Sequence, residues 1–139
     1  MREIKFRGRL LDNGEWVYGG LVIDEKLMRA LIFNKPHAAY CFTNDVSVEV
    51  DPATVGQYTG LLDKGEREIY EGDAVRIIAP GIEAVGVVTW EPETAAFRFV
   101  YVDADEETQW DEMMWLTECY EIIGNIHDNP ELREVSHAG

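Results

Sequence analysis

Nucleophilic or metal chemistry in this 139-residue chain would have to rest on two serines, two cysteines and three histidines. Ser47 and Ser136 both stand outside a G-x-S-x-G frame, so neither is presented as an activated hydroxyl on a strand-to-helix elbow. Cys119 precedes His127 by eight residues, a spacing that admits a thiol–imidazole pair. The plainer reading is a structural thiol beside a strand and a histidine in an exposed turn. His37, His127 and His137 are dispersed, with no H-x-x-x-H and no C-x-x-C, so zinc-ligand spacing is missing. Asp103, Asp105, Glu106 and Glu107 resemble a cation loop but lack the EF-hand glycine and its later bidentate glutamate. They read as a solvated acidic loop. Gly56 to Gly60 has no lysine in the phosphate-loop position and no helix after it. The 27 carboxylates are too many to single out a catalytic pair. No complete catalytic set emerges, and the expectation is a protein that is not an enzyme and holds no metal or cofactor.

The elements that would position these residues are bounded by composition. An apolar content of 46% with 11% aromatics excludes a disordered chain and allows one domain or two small lobes. Cys41 and Cys119 read as reduced thiols, although spacing alone does not decide whether they pair. Arg2, Lys5, Arg7 and Arg9 make a basic start with no apolar stretch behind it, and no segment has the length to cross a bilayer. The expected location is the cytoplasm. The net charge of −15 is uneven: residues 1–62 carry 7 Lys+Arg against 8 Asp+Glu, residues 63–139 carry 5 against 19. The acidic half repels phosphate backbones and suits solubility, a basic partner or mimicry of nucleic acid.

Along the chain, short apolar runs alternate with turn residues, which predicts a mainly β fold. Ile4 and Phe6 alternate with Lys5 and Arg7. Asp12-Asn13-Gly14 is a strong turn signal, and Trp16 to Val22 answers it as a second strand, with Gly19-Gly20 read as a bulge or bend. Leu27 to Phe33, Tyr40 to Phe42 and Val46 to Val50 are further strands. Residues 1–53 thus form an N-terminal hairpin-rich β lobe. Residues 54–72 read as an irregular connector anchored by Tyr58, Leu61, Leu62, Ile69 and Tyr70. Residues 73–130 read as a small SH3-like barrel: strands at Asp73 to Ile78, Ala84 to Trp90, Ala96 to Val102 and Tyr120 to Gly124, with Phe97, Phe99 and Tyr101 on one face and Trp90 in the core. The Trp110 to Leu116 element is left without a type. Residues 131–139 are a polar tail whose last anchor is Leu132.

Three segments carry a resemblance. They are Met1 to Arg7; Thr54 to Gly60 with Asp63 and Ile69-Tyr70-Glu71-Gly72-Asp73; and Glu121 to Leu132. In that order and spacing the chain resembles the YopX family. The resemblance implies a β-rich protein encoded by phages and mobile elements, and it brings no catalytic residues to carry over. The motif residues themselves read as turn chemistry. Gly72 serves where a Cβ would obstruct, Asp73 accepts from nearby amides, and Gly124-Asn125 with Asp128-Asn129-Pro130 makes a tight exit turn.

Two expectations of function follow. The first is a phage accessory protein that works by binding a protein partner or by self-assembly. Its candidate partner surface is Trp110, Asp111, Glu112 and Trp115, where aromatics flank acids. Its candidate self-association edge is Ile4 and Phe6, on a strand read as a free edge. The second is a nucleic-acid role, either weak contact through the basic N-terminus or acidic mimicry directed at a host enzyme.

Overall fold

The computed structural model describes residues 3–33, 47–102, 110–112 and 117–132, which divide between two compact units, Met1–Tyr58 and Thr59–Gly139. Both are built from antiparallel β-structure, and the described residues contain no α-helix, only short 3-10 turns. The Tyr40 to Phe42 strand, the acidic loop 103–107, His37, Cys41, Trp115, Ser136 and His137 fall outside the described residues.

The first unit contains β1 (Phe6–Arg9), β2 (Trp16–Asp24), β3 (Arg29–Phe33), β4 (Ser47–Val50) and the start of β5 (Gly56–Leu62). They lie in the order β4-β3-β2-β1-β5. The β1–β2 turn forms where the sequence places it. Gly14 takes a φ of 75°, which only a residue without a Cβ adopts cheaply. Asn13 Oδ1 accepts from the Glu15 amide at 2.9 Å. At the Gly19-Gly20 pair β2 passes from one neighbour to the other: Phe6 pairs with Gly19, which takes a φ of 154°, and Gly20 pairs with Phe33.

Strict alternation gives this sheet two distinct faces. One carries Ala30, Ile32 and Val50, all fully buried, with Phe6, Val17, Leu21 and Val48 packed on them. Gly8 is needed on this face, because a Cβ there would sit 2.8 Å from Val50 Cγ2. The other face carries Arg7 opposite Tyr18, Arg9 opposite Trp16, and Gly20 opposite Phe33.

The stretch expected as an irregular connector is mostly regular. A 3-10 turn at Pro52–Thr54, capped by Asp51, leads into β5, and β6 (Glu68–Tyr70) follows. Thr54 closes the turn by donating to Asp51 O at 2.7 Å and accepting from the Arg9 amide at 2.9 Å. Glycines and polar residues hid these strands. The strand β5 reads GQYTGLL, and its buried Gly56 and Tyr58 alternate with residues that carry no hydrophobic signal.

The second unit adds β7 (Asp73–Ala79), β8 (Ile82–Glu91), β9 (Ala96–Tyr101), β10 (Trp110–Glu112) and β11 (Tyr120–Asn125). They form a five-stranded sheet in the order β10-β9-β8-β7-β11. Among the described residues no strand pair closes this sheet, so the expected SH3-like barrel closure is not found there. Val75, Ile77, Val88, Phe99 and Tyr120 make its core with Ile69 from β6. Phe97, Phe99 and Tyr101 do share the core face, as the alternation requires. Trp90, expected in the core, is exposed at the strand end, with its ring edge-on to Phe97 at 5.0 Å. Leu132 sits in the last described turn, its amide bonded to Asn129 O at 3.0 Å.

Candidate functional site

Among the described residues of the second unit, Asp63 is a densely bonded polar group. It opens the tight turn between β5 and β6, and its side chain is 1% exposed. Asp63 Oδ1 accepts from the amides of Gly65 and Arg67, both at 2.9 Å. Asp63 Oδ2 accepts from Arg67 Nε at 3.1 Å, Arg67 Nη2 at 3.0 Å and the Ile122 amide at 3.1 Å. Arg67 Nη2 reaches on to the Ile122 carbonyl at 2.7 Å, and the Lys64 amide donates to Tyr120 O at 2.8 Å. The outer edge of β11 is thereby covered by side chains and a turn in place of a neighbouring strand, a form of edge protection. Lys64 Nζ adds an ion pair to Glu121 at 3.0 Å, which holds the Glu121 carboxyl below its ordinary range.

The other two motif turns meet the same sheet. Asp73 Oδ2 accepts from the Tyr70 amide at 2.8 Å. Gly72, at a φ of 94°, donates to Val88 O and accepts from the Ile126 amide. Across from Asp73 stands Asn125. Its Oδ1 accepts from the amides of His127 and Asp128, both at 2.9 Å, and its Nδ2 donates to Asp128 Oδ2 at 2.8 Å. Between these turns β11 shifts register at Ile122/Gly124. Gly124 leaves room there for the Asn129 side chain, whose Oδ1 accepts from the Asn125 amide at 3.3 Å.

This arrangement fixes chain geometry and offers no reaction centre. Burial works to raise the Asp63 pKa, but the amides of Arg67, Ile122 and Gly65, with the Arg67 charge, outweigh it and leave the pKa below the ordinary 3.8. Asp63 therefore stays a carboxylate whose acceptor capacity is filled, a poor proton donor and a poor base. A group held below its unfolded pKa stabilises the fold fully above that pKa, and the stabilisation is lost as pH falls through the folded value. The gap in unfolding free energy between wild type and Asp63→Asn is expected to narrow as pH falls below about 5. Urea titrations across that range measure it; a pH-independent gap contradicts the assignment.

The sequence-derived candidates are placed as follows. Trp110, Asp111 and Glu112 form β10, paired with Val100, Phe99 and Arg98 of β9; Trp115 lies outside the described residues. Phe6 does not border a free edge, and Ile4 precedes the strand and is exposed. The strand β1 lies between β2 and β5, with Phe6 pairing both Gly19 and Gln57, and Phe6 packs on the core face. Strand addition at Phe6 and Arg7 is therefore closed, because both sides already carry a neighbour. Cys119 and His127 stand at opposite ends of β11, roughly 20 Å of strand apart at about 3.3 Å per residue, so they make no pair. Among the described residues no group of three His, Cys, Asp or Glu side chains is arranged to hold a metal ion. The basic start is engaged within its own unit. Lys5 pairs with Glu3 at 3.1 Å and lies over the Tyr58 ring. Arg7, only 6% exposed, and Arg9 stack on Trp16 at 4.6 and 5.0 Å.

What the sequence reading missed is the open face of the first sheet. Tyr18, Val22 and Phe33 are 46%, 46% and 37% exposed there. Between them Gly20 has nothing within 4 Å of the position its Cβ would take. The period-2 pattern of Trp16 to Val22 was visible; which of its two faces would lack cover was not.

Comparison with known proteins places this geometry. A crystal structure of protein EF1440 from Enterococcus faecalis aligns with a TM-score of 0.56 at 24% identity, covering 95% of this chain and 99% of that one, and at that identity the likeness concerns the fold. No curated protein matches the chain. The YopX protein family matches residues 5–134, taking in the second and third motifs whole and the end of the first, and the chain belongs to the YopX family.

Proposed function

We propose that this protein acts by binding, as a phage-type accessory or assembly module in the cytoplasm, and performs no chemistry of its own. One observation supports the reading above others. The motif side chains Asp63, Asp73 and Asn125 are committed to backbone amides, whereas Tyr18, Val22 and Phe33 stand exposed around Gly20 on the first sheet. Clustered exposed aromatic and aliphatic side chains mark contact surfaces more often than reaction sites. The alternative, direct contact with nucleic acid through the basic N-terminus, has less support, because Lys5, Arg7 and Arg9 already lie over aromatic rings. The surface around Trp110, Asp111, Glu112 and Trp115 stays in the proposal as a second contact region on sequence grounds.

A comparative pull-down tests the reading. Tagged wild type and Val22→Glu, a substitution at an exposed position of β2, are each used to capture protein from a host lysate. The expected outcome is at least one protein retained by wild type and lost with Val22→Glu. Identical capture by both, or turnover of a small-molecule substrate by the purified protein, overturns it.

A further inference from the structure

The β1–β2 turn holds two groups that can react with each other. Of the asparagines in the chain, only Asn13 precedes a glycine. Asn125 precedes Ile126, whose branched side chain crowds the amide between them, and Asn129 precedes Pro130, which has no N–H. Asn13 and Gly14 are both exposed, and nothing lies within 4 Å of the position a Gly14 Cβ would take. Two bonds hold the pair out of reaction. The Gly14 amide donates to Leu10 O at 2.9 Å, which occupies its N–H, and Asn13 Oδ1 accepts from the Glu15 amide at 2.9 Å, which fixes the carboxamide. Both bonds belong to an exposed turn, which opens locally at lower cost than the strands beside it. Each is an ordinary hydrogen bond, whose release costs about a factor of five in population.

We propose that Asn13 is a site of spontaneous deamidation, held in check by these two bonds. When the turn opens, the Gly14 amide gives its proton to hydroxide, and its nitrogen attacks Asn13 Cγ. The new N–Cγ bond closes a five-membered imide. The Cγ–Nδ2 bond breaks, and Nδ2 leaves as ammonia, taking a proton from water. Water then adds to one of the two imide carbonyls and opens the ring. Opening at Cγ gives aspartate with the ordinary chain. Opening at the main-chain carbonyl gives isoaspartate, whose backbone runs through the former side chain and is one carbon longer. In sum one water is consumed and one ammonia released, with no oxidation or reduction. The aspartate keeps an oxygen for the Glu15 amide. The isoaspartate lengthens a turn that Leu10 N closes on Glu15 O at 2.9 Å. Leu10 also bridges Val50 of β4, and the Leu11 amide donates to Glu49 O at 3.4 Å, so the longer turn disturbs the junction of three strands. Either product adds a negative charge between Asp12 and Glu15.

Incubation at mildly alkaline pH, where the amide loses its proton more readily, tests the site. Peptide mapping by mass spectrometry follows the replacement of –NH2 by –OH at Asn13, and an assay for ammonia follows the leaving group. The reference is a free peptide of residues 8–18, which has no folded turn. The protein is expected to convert at Asn13 ahead of Asn125, on the order of 25-fold more slowly than the peptide, the product of the two released bonds. Isoaspartate is expected among the products. Asn13→Asp is expected to fold like the wild type and to lose the early ammonia release. The isoaspartate form, separated by chromatography, is expected to melt below Asn13→Asp. Conversion at the peptide's rate overturns the inference, because the two bonds then hold nothing back. So does a protein still unmodified after about a hundred half-lives of the peptide, well beyond what two hydrogen bonds explain, or one that converts first at Asn125. An isoaspartate form that melts together with Asn13→Asp overturns the disturbance of the three-strand junction.

Discussion

Asp63→Ala is expected to lower the unfolding free energy by about 3–5 kcal/mol, the lower part of the range for three backbone amides that each lose an acceptor at about 1–3 kcal/mol. The carboxylate is 1% exposed and takes bonds from Gly65, Arg67 and Ile122. Its removal orphans three backbone amides and leaves Arg67 with its bond to the Ile122 carbonyl. The Arg67 side chain is 57% exposed and can turn to water, so the ion pair contributes little to the loss and the amides contribute most. Two amides belong to the turn itself. The third lies 59 residues away on β11, so the substitution loosens a long-range contact as well as a local one. Asp63→Asn keeps the shape and two acceptor bonds but turns an NH2 toward Arg67 and the Ile122 amide, and it is expected to recover less than half of the loss. Urea denaturation followed by circular dichroism measures both. Hydrogen exchange should show the Ile122 amide unprotected in Asp63→Ala. A loss below about 1 kcal/mol, the size of a single ordinary hydrogen bond, would falsify the view that this carboxylate holds the β11 edge.

Phe99→Ala is the second substitution expected to have a large effect, with a loss of about 3–5 kcal/mol. The ring is 1% exposed at the centre of the second sheet's core, edge-on to Tyr120 at 5.2 Å. Gly86 lets it lie close on the neighbouring strand: a Cβ there would be 2.8 Å from Phe99 Cβ and 3.2 Å from the ring. Truncation leaves a void beside backbone, which cannot move in to fill it as a flexible side chain would. Phe99→Leu refills part of that volume and is expected to lose less. Equal losses for Ala and Leu would mean that ring shape, not volume, is what the core requires.

Much of the architecture was legible because it rests on local rules. The Asp12-Asn13-Gly14 turn, the core face of Phe97, Phe99 and Tyr101, and the turns at Gly72 and Asn125 each follow from residue type and period-2 spacing. Asp63-Lys64-Gly65 was equally readable as a turn, since the carboxylate bonds an amide two residues on. Residues 54–72 were misread because the β5 sequence GQYTGLL carries glycines where strands usually show β-branched residues.

The amino-acid order by itself determined the β class, the turn positions, the near-neutral and acidic halves, and membership of the YopX family, because each depends on neighbours a few residues apart or on motif order. Tertiary structure alone decided that β1 is an inner strand and not an edge, that Asp63 reaches Ile122, and that Tyr18, Val22 and Phe33 stand uncovered around Gly20. Strand neighbours and exposed faces are set by which distant segments pair, and local sequence carries no record of that choice.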